Sequence, residues 1–99
     1  TMNDQHPYEL HTHGGGAFVS FDSMQGDVLS LPLISLNRAI LRTRGQGSEL
    51  VLEFENNLVS VFGRNLAPLR DHLLAGRLKL IRTGQFEECA VTGLRVSDS

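Results

Sequence analysis

Residues 49–63, ELVLEFENNLVSVFG, constrain this chain more than any other stretch. Leu50, Leu52 and Phe54 fall on one side of an extended chain, with Glu49, Val51, Glu53 and Glu55 on the other. Such alternation marks a half-buried strand, because successive side chains of a strand point to opposite faces. ENN then supplies a turn, since Asn tolerates positive φ. Leu58, Ser60 and Phe62 alternate with Val59 and Val61 on the way back. The two runs make a β-hairpin. Val51, Val59 and Val61 are expected opposite the Leu50, Leu52 and Phe54 set, which leaves the hairpin apolar on both sides in places.

The rest of the chain supplies strands and one helix. AFVSFD (17–22) alternates, with Phe18 and Ser20 on one side and Val19 and Phe21 on the other. SMQGD (23–27) is a turn by composition. The run 28–43 fits two periods. Leu33, Leu36, Ile40 and Leu41 share a helical face, whereas Leu29, Leu31 and Leu33 line up as a strand. Pro32 argues against a central strand around it. Extended structure is expected for 28–36, with a strand running on to Thr43. RGQGS (44–48) turns the chain back. NLAPLRDHLLAG (65–76) predicts a helix: Asn65 caps it, Pro68 fits its first turn and Gly76 ends it. Leu66, Leu69, Leu73 and Leu74 form its apolar face. RLKLIRTG (77–84) and CAVTGLRVS (89–97) are two further strands, joined by a polar turn at QFEE.

The expected fold is therefore α+β: an antiparallel sheet of about five to six strands, with one amphipathic helix (about 65–75) packed on one face. A length of 99 residues fits a single domain. Residues 17–99 are assigned to it and residues 1–16 to an N-terminal arm, with Tyr8 and Leu10 as the possible anchors. Thr1 ahead of Met2 suggests a scar of tag removal. One short helix cannot cover both faces of the hairpin. Either the 28–36 segment or another copy of the chain must cover the second.

Composition removes several classes of function. Hydrophobic residues make up 40% and charged residues 20%, the balance of an ordinary globular domain. No run is apolar enough to span a membrane, and no secretory leader is visible. The one cysteine, Cys89, can form neither an internal disulfide nor a thiolate metal site by itself, and a reducing cytoplasm is the expected setting. A net charge of −2 does not suit a general nucleic-acid binder.

Candidate sites fall into three groups. His11 and His13, two apart, point to the same side of an extended chain and can grip a metal, with His6 as a third ligand and Asp4 or Glu9 as a carboxylate. The competing reading is an arm with scattered histidines, joined to the first strand by a GGG hinge (14–16). A phosphate loop is not supported, since neither GKS nor GxGxxG follows and GGG leads into a strand. An anion site is conceivable where Arg64 and Asn65 stand at the mouth of the helix. Arg38, Arg42 and Arg44 add a local basic cluster, which is more simply a solvated strand edge. The third group is an interface formed by Val51, Val59, Val61 and Arg70. Arg70 lies inside the helix's apolar arc, where it can snorkel, pair with Glu53 or Glu55, or bridge to another subunit. No nucleophile elbow occurs, and Asp71 and His72, adjacent on a helix, do not face each other. No catalytic residue and no cofactor is called for. The expectation is a non-enzymatic domain that acts by association, as a homo-oligomer or on another protein. Anion or nucleic-acid binding is the alternative, and a metal site on the histidine arm ranks behind it.

Overall fold

In a computed structural model, residues 7–11, 17–22, 27–45, 47–86 and 89–98 are described. In chain order the strands are β1 (Tyr8–Leu10), β2 (Phe18–Asp22), β3 (Val28–Pro32), β4 (Leu36–Arg44), β5 (Gly47–Phe54) and β6 (Asn57–Arg64), then β7 (Leu78–Ile81), β8 (Gly84–Phe86) and β9 (Cys89–Asp98). One helix, α1 (Ala67–Leu74), separates β6 from β7, and a 3₁₀ turn, Leu33–Ser35, separates β3 from β4. The α+β character with one helix agrees with the sequence. The strands differ from the expected five or six in one sheet: the described residues form nine, in two sheets ordered β1-β7-β2-β3 and β4-β5-β6-β9-β8. All pairings are antiparallel except β2 with β7.

The 49–63 hairpin is β5 and β6, and it sets the register of the five-stranded sheet. Only Glu55 and Asn56 lie between the two strands. A two-residue turn brings the odd positions of β6 opposite the even positions of β5. Leu50 therefore faces Val61, and Leu52 faces Val59. Residues directly opposite in an antiparallel pair share a face. Val59 and Val61 are thus core residues at 0% exposure, beside Leu50 and Leu52. This corrects the expectation that they lie opposite that set. Only Val51 remains on the other face.

What covers the Leu50 face is the four-stranded sheet. Val19, Phe21 and Leu31 from β2 and β3, and Leu78 and Ile81 from β7, join Leu50, Leu52, Phe54, Val59, Val61, Cys89 and Val91 in one core. The rings of Phe21 and Phe54 meet across the two sheets edge to face, with centroids 6.0 Å apart and planes at 79°. The run 28–43 is extended, as expected, but the 3₁₀ turn interrupts it just after Pro32. There the chain passes from the edge of one sheet to the edge of the other.

The helix begins later than the sequence suggests. Its cap residue is Leu66, no side chain caps it, and Asn65 instead takes a left-handed turn at φ 54°. Leu66, Leu69 and Leu73 enter the core, while Leu74 is 57% exposed and leaves the apolar face. Rather than covering one sheet, α1 contacts β4 of one sheet and β7 of the other. Its end is as the sequence suggests. Gly76 adopts φ 74°, the Gly76 N–H donates to the Leu73 carbonyl (3.0 Å), and the Arg77 N–H donates to the His72 carbonyl (2.9 Å). This paired closure satisfies carbonyls that a helix end leaves open.

The N-terminal arm is docked where it is described. Pro7 is fully buried, and its carbonyl accepts the Arg82 N–H at 2.9 Å. β1 pairs with β7, Glu9 meets Arg82 at 2.9 Å, and the Tyr8 ring lies 5.4 Å from that of His72. The His11 N–H donates to the Arg77 carbonyl at 2.9 Å. β1 is therefore an edge strand, and residues 7–11 are tied to β7 and to the end of α1. The expected GGG hinge, His6 and His13 lie outside the described residues.

Candidate functional site

The outer face of the five-stranded sheet, turned away from the core, follows from the same register. Three rows cross it: Arg38, Glu53, Leu58 and Ser97; then Ile40, Val51, Ser60 and Arg95; then Arg42, Glu49, Phe62 and Gly93. An apolar patch of Ile40, Val51, Leu58 and Phe62 thus sits among charges. Val51 is only 8% exposed. Ile40, Leu58 and Phe62 are half-buried. A shallow, open recess of about 240 Å³ closes one end of this face, lined by Gly47, Ser48, Glu49, Phe62, Gly63 and Thr92.

Two rows carry a basic residue on β4 opposite an acid on β5. Arg38 donates to a Glu53 oxygen at 2.9 Å. That hydrogen bond, and then the carboxylate's charge, hold the Arg38 guanidinium above its ordinary pKa. Arg42 lies directly opposite Glu49. An exposed ion pair such as Arg38–Glu53 adds little to the stability of the fold.

β4 is an edge strand of its sheet, in keeping with the strand edge read from the basic cluster. It carries exposed residues on both faces, although Leu36 and Ala39 pack against the core. Asn37, Arg38, Leu41, Arg42 and Thr43 are all exposed, and Leu41, on the inner side opposite Leu50, keeps 37% exposure.

The other expected site residues are scattered. Arg44 ends β4 opposite Gly47. Arg64, exposed, ends β6, which lies two strands away from β4. With Leu66 as the cap residue, Arg64 and Asn65 precede the helix mouth rather than form it. Arg70 is half-buried on α1, and Glu53, one of the carboxylates considered for it, is held by Arg38. Of the histidine arm only His11 is described, with Nε2 3.3 Å from the Phe18 carbonyl oxygen. Among the described residues no three His, Cys, Asp or Glu side chains converge as metal ligands. No helix among them is long and apolar enough to cross a membrane.

Cys89 is buried in the core at 5% exposure, and burial pushes its thiol above its ordinary pKa. A group whose pKa is raised by folding contributes stability below its unfolded pKa and loses it as the pH climbs toward the folded one. Two results are expected. Labelling of the native protein by a thiol reagent should proceed only as fast as the protein opens. Stability, read by urea titration, should fall as the pH rises past the ordinary thiol range. Rapid stoichiometric labelling of the folded protein would contradict the burial.

Val59 and Val61 share the face of Leu52 and Leu50 because the two-residue turn shifts the alternation by one position. The openness of β4 left a signal in the sequence, three arginines and no acid over 36–44. Leu58 and Phe62 needed the register. Comparison with protein-family models, with curated proteins and with solved structures returned no match.

Proposed function

We propose that this chain is an association domain, which docks another polypeptide rather than carrying out catalysis. The observation behind it is the openness of β4, a nine-residue edge strand with charged residues on one face and an exposed leucine on the other. Ile40, Val51, Leu58 and Phe62 extend apolar surface inward from that edge. An apolar patch rimmed by charge is the ordinary composition of an interface. Anion or nucleic-acid binding through Arg38, Arg42, Arg44, Arg64 and Asn65 has less support, because Arg38 is paired with Glu53 and Arg42 stands opposite Glu49.

A photo-crosslinking residue at position 41, introduced in the cell that makes the protein, tests the proposal. The same residue at position 79, on the exposed Lys79 site of β7, is the control. One discrete protein adduct is expected from position 41 and none from position 79. No adduct from either, or the same smear from both, would remove the support for association. In parallel, an oligonucleotide titrated at low salt should show no saturable binding. Saturable binding that weakens steeply with salt would favour the anion reading instead.

A further inference from the structure

Resting on the association role just proposed, we infer that β4 takes its partner by strand addition, and that the partner is an extended acidic segment: an acid, one residue, an apolar residue, one residue, then a second acid. An exposed sheet edge presents a row of backbone N–H and C=O groups that pairs readily with an extended chain. Among the edges of the described sheets, β4 is the one equipped for it. β1 and β8 have three residues each, and β3 has five and ends at Pro32. The stretch of β9 beyond β8 starts at a bulge, where Thr92 is the extra residue between Val91 and Gly93, and it carries both Arg95 and Asp98. A bulge twists an edge away from regular pairing. β4 has nine residues, no proline within it and no acid.

The chain itself displays the complement that β4 accepts. On its inner side β4 pairs with β5, which sets Glu49 opposite Arg42, Val51 opposite Ile40 and Glu53 opposite Arg38. That is acid, apolar, acid at alternate positions. The open side of β4 carries the same three side chains on the same face, so a second strand there meets the same requirement. Arg38 has room for it. Its hydrogen bond to Glu53 uses one N–H of the five in a guanidinium, and its side chain is 64% exposed. The pattern reads the same in both directions, so it serves a parallel or an antiparallel partner. A second copy of β4 is a poor occupant. Pairing two β4 strands would line up two sets of three arginines along one seam, and like charges facing each other across strands repel.

The test uses two capped peptides, Thr-Glu-Thr-Val-Thr-Glu-Thr and its counterpart with lysine at both glutamate positions. Each is titrated into the intact ¹⁵N-labelled protein and followed by the backbone amides. The acidic peptide is expected to shift amides of residues 37–43 first, and to bind at least about tenfold more tightly than the basic one. Arg38→Gln with Arg42→Gln should erase that preference, and Arg38→Glu with Arg42→Glu should reverse it, in variants whose amide spectra show the fold intact. Equal binding of the two peptides, shifts confined to other strands, or no shift up to about 1 mM of either peptide would overturn the inference. The comparison on the unaltered protein stands even if a variant fails to fold. Failure here is separable from failure of the association role. A crosslink from position 41 without peptide selectivity leaves the role standing and removes the acidic strand. A crosslink between two copies of this chain does the same.

Discussion

Replacing Gly63 by alanine is expected to cost at least about 3 kcal/mol, the upper range for forcing extra atoms into a packed site. A Cβ on Gly63 would overlap the Ala90 carbonyl oxygen and lie 2.9 Å from its carbon. These are backbone atoms of the neighbouring strand, so no side-chain rotation relieves the clash, and β6 and β9 must move apart. Those strands hold the five-stranded sheet together beyond the hairpin, from Asn57 opposite Asp98 to Arg64 opposite Ala90. A domain of this size has only about 5–15 kcal/mol of total stability, so the variant should be largely unfolded or strongly destabilised. Gly93→Ala is the control. A Cβ there would meet only a Phe62 ring carbon, at 3.8 Å, which is an ordinary contact. Urea titration of both variants checks the contrast. A Gly63→Ala midpoint near that of the parent protein would mean that β6 and β9 are not this close.

Phe21→Ala should lose about 3–5 kcal/mol, as truncation of a fully buried phenylalanine usually does. Phe21 is 1% exposed and touches the opposite sheet through Phe54, itself 3% exposed. Its loss leaves a void where the two sheets meet, at a point that neither strand can fill without tilting a sheet. The ring contact is separable from the burial. In a cycle of Phe21→Leu, Phe54→Leu and the double variant, an edge-to-face pair should return a coupling of about 0.5–1.5 kcal/mol. Additive losses would show that the two rings do not interact, and that the sheets are joined by area alone.

The sequence was most legible where a single period ruled a long segment. The alternation of β5 and β6, the edge position of β4, and the end of α1 at Gly76 were all readable from side-chain spacing and turn chemistry. Three features were not. The partner face of Val59 and Val61 depends on the number of residues in the turn, because one residue more or fewer exchanges core and surface. The start of α1 depended on whether Asn65 would cap or turn, and the left-handed φ it adopts decides for the turn. The strand β1 was hidden because three residues carry no usable period. Its place comes from long-range partners, β7 and the end of α1, which no local pattern announces. The candidate surface was legible as a basic edge strand. Its apolar ground, Ile40, Leu58 and Phe62, appears only when three strands are laid side by side.

The place of β7 in the four-stranded sheet has a consequence for the order in which the molecule is assembled. β2 has β3 directly behind it in the chain, but its other neighbour begins only at Leu78, and among the described residues β1 pairs only with that same strand. As the chain is made from its N-terminus, the local meander of β4, β5 and β6 is complete while β1 still has nothing to pair with. Pairings between distant segments form slowly, because the chain between them must first be closed into a loop. Of the described strands, the one made earliest is therefore among the last to be seated, and four residues, Leu78 to Ile81, decide when that happens.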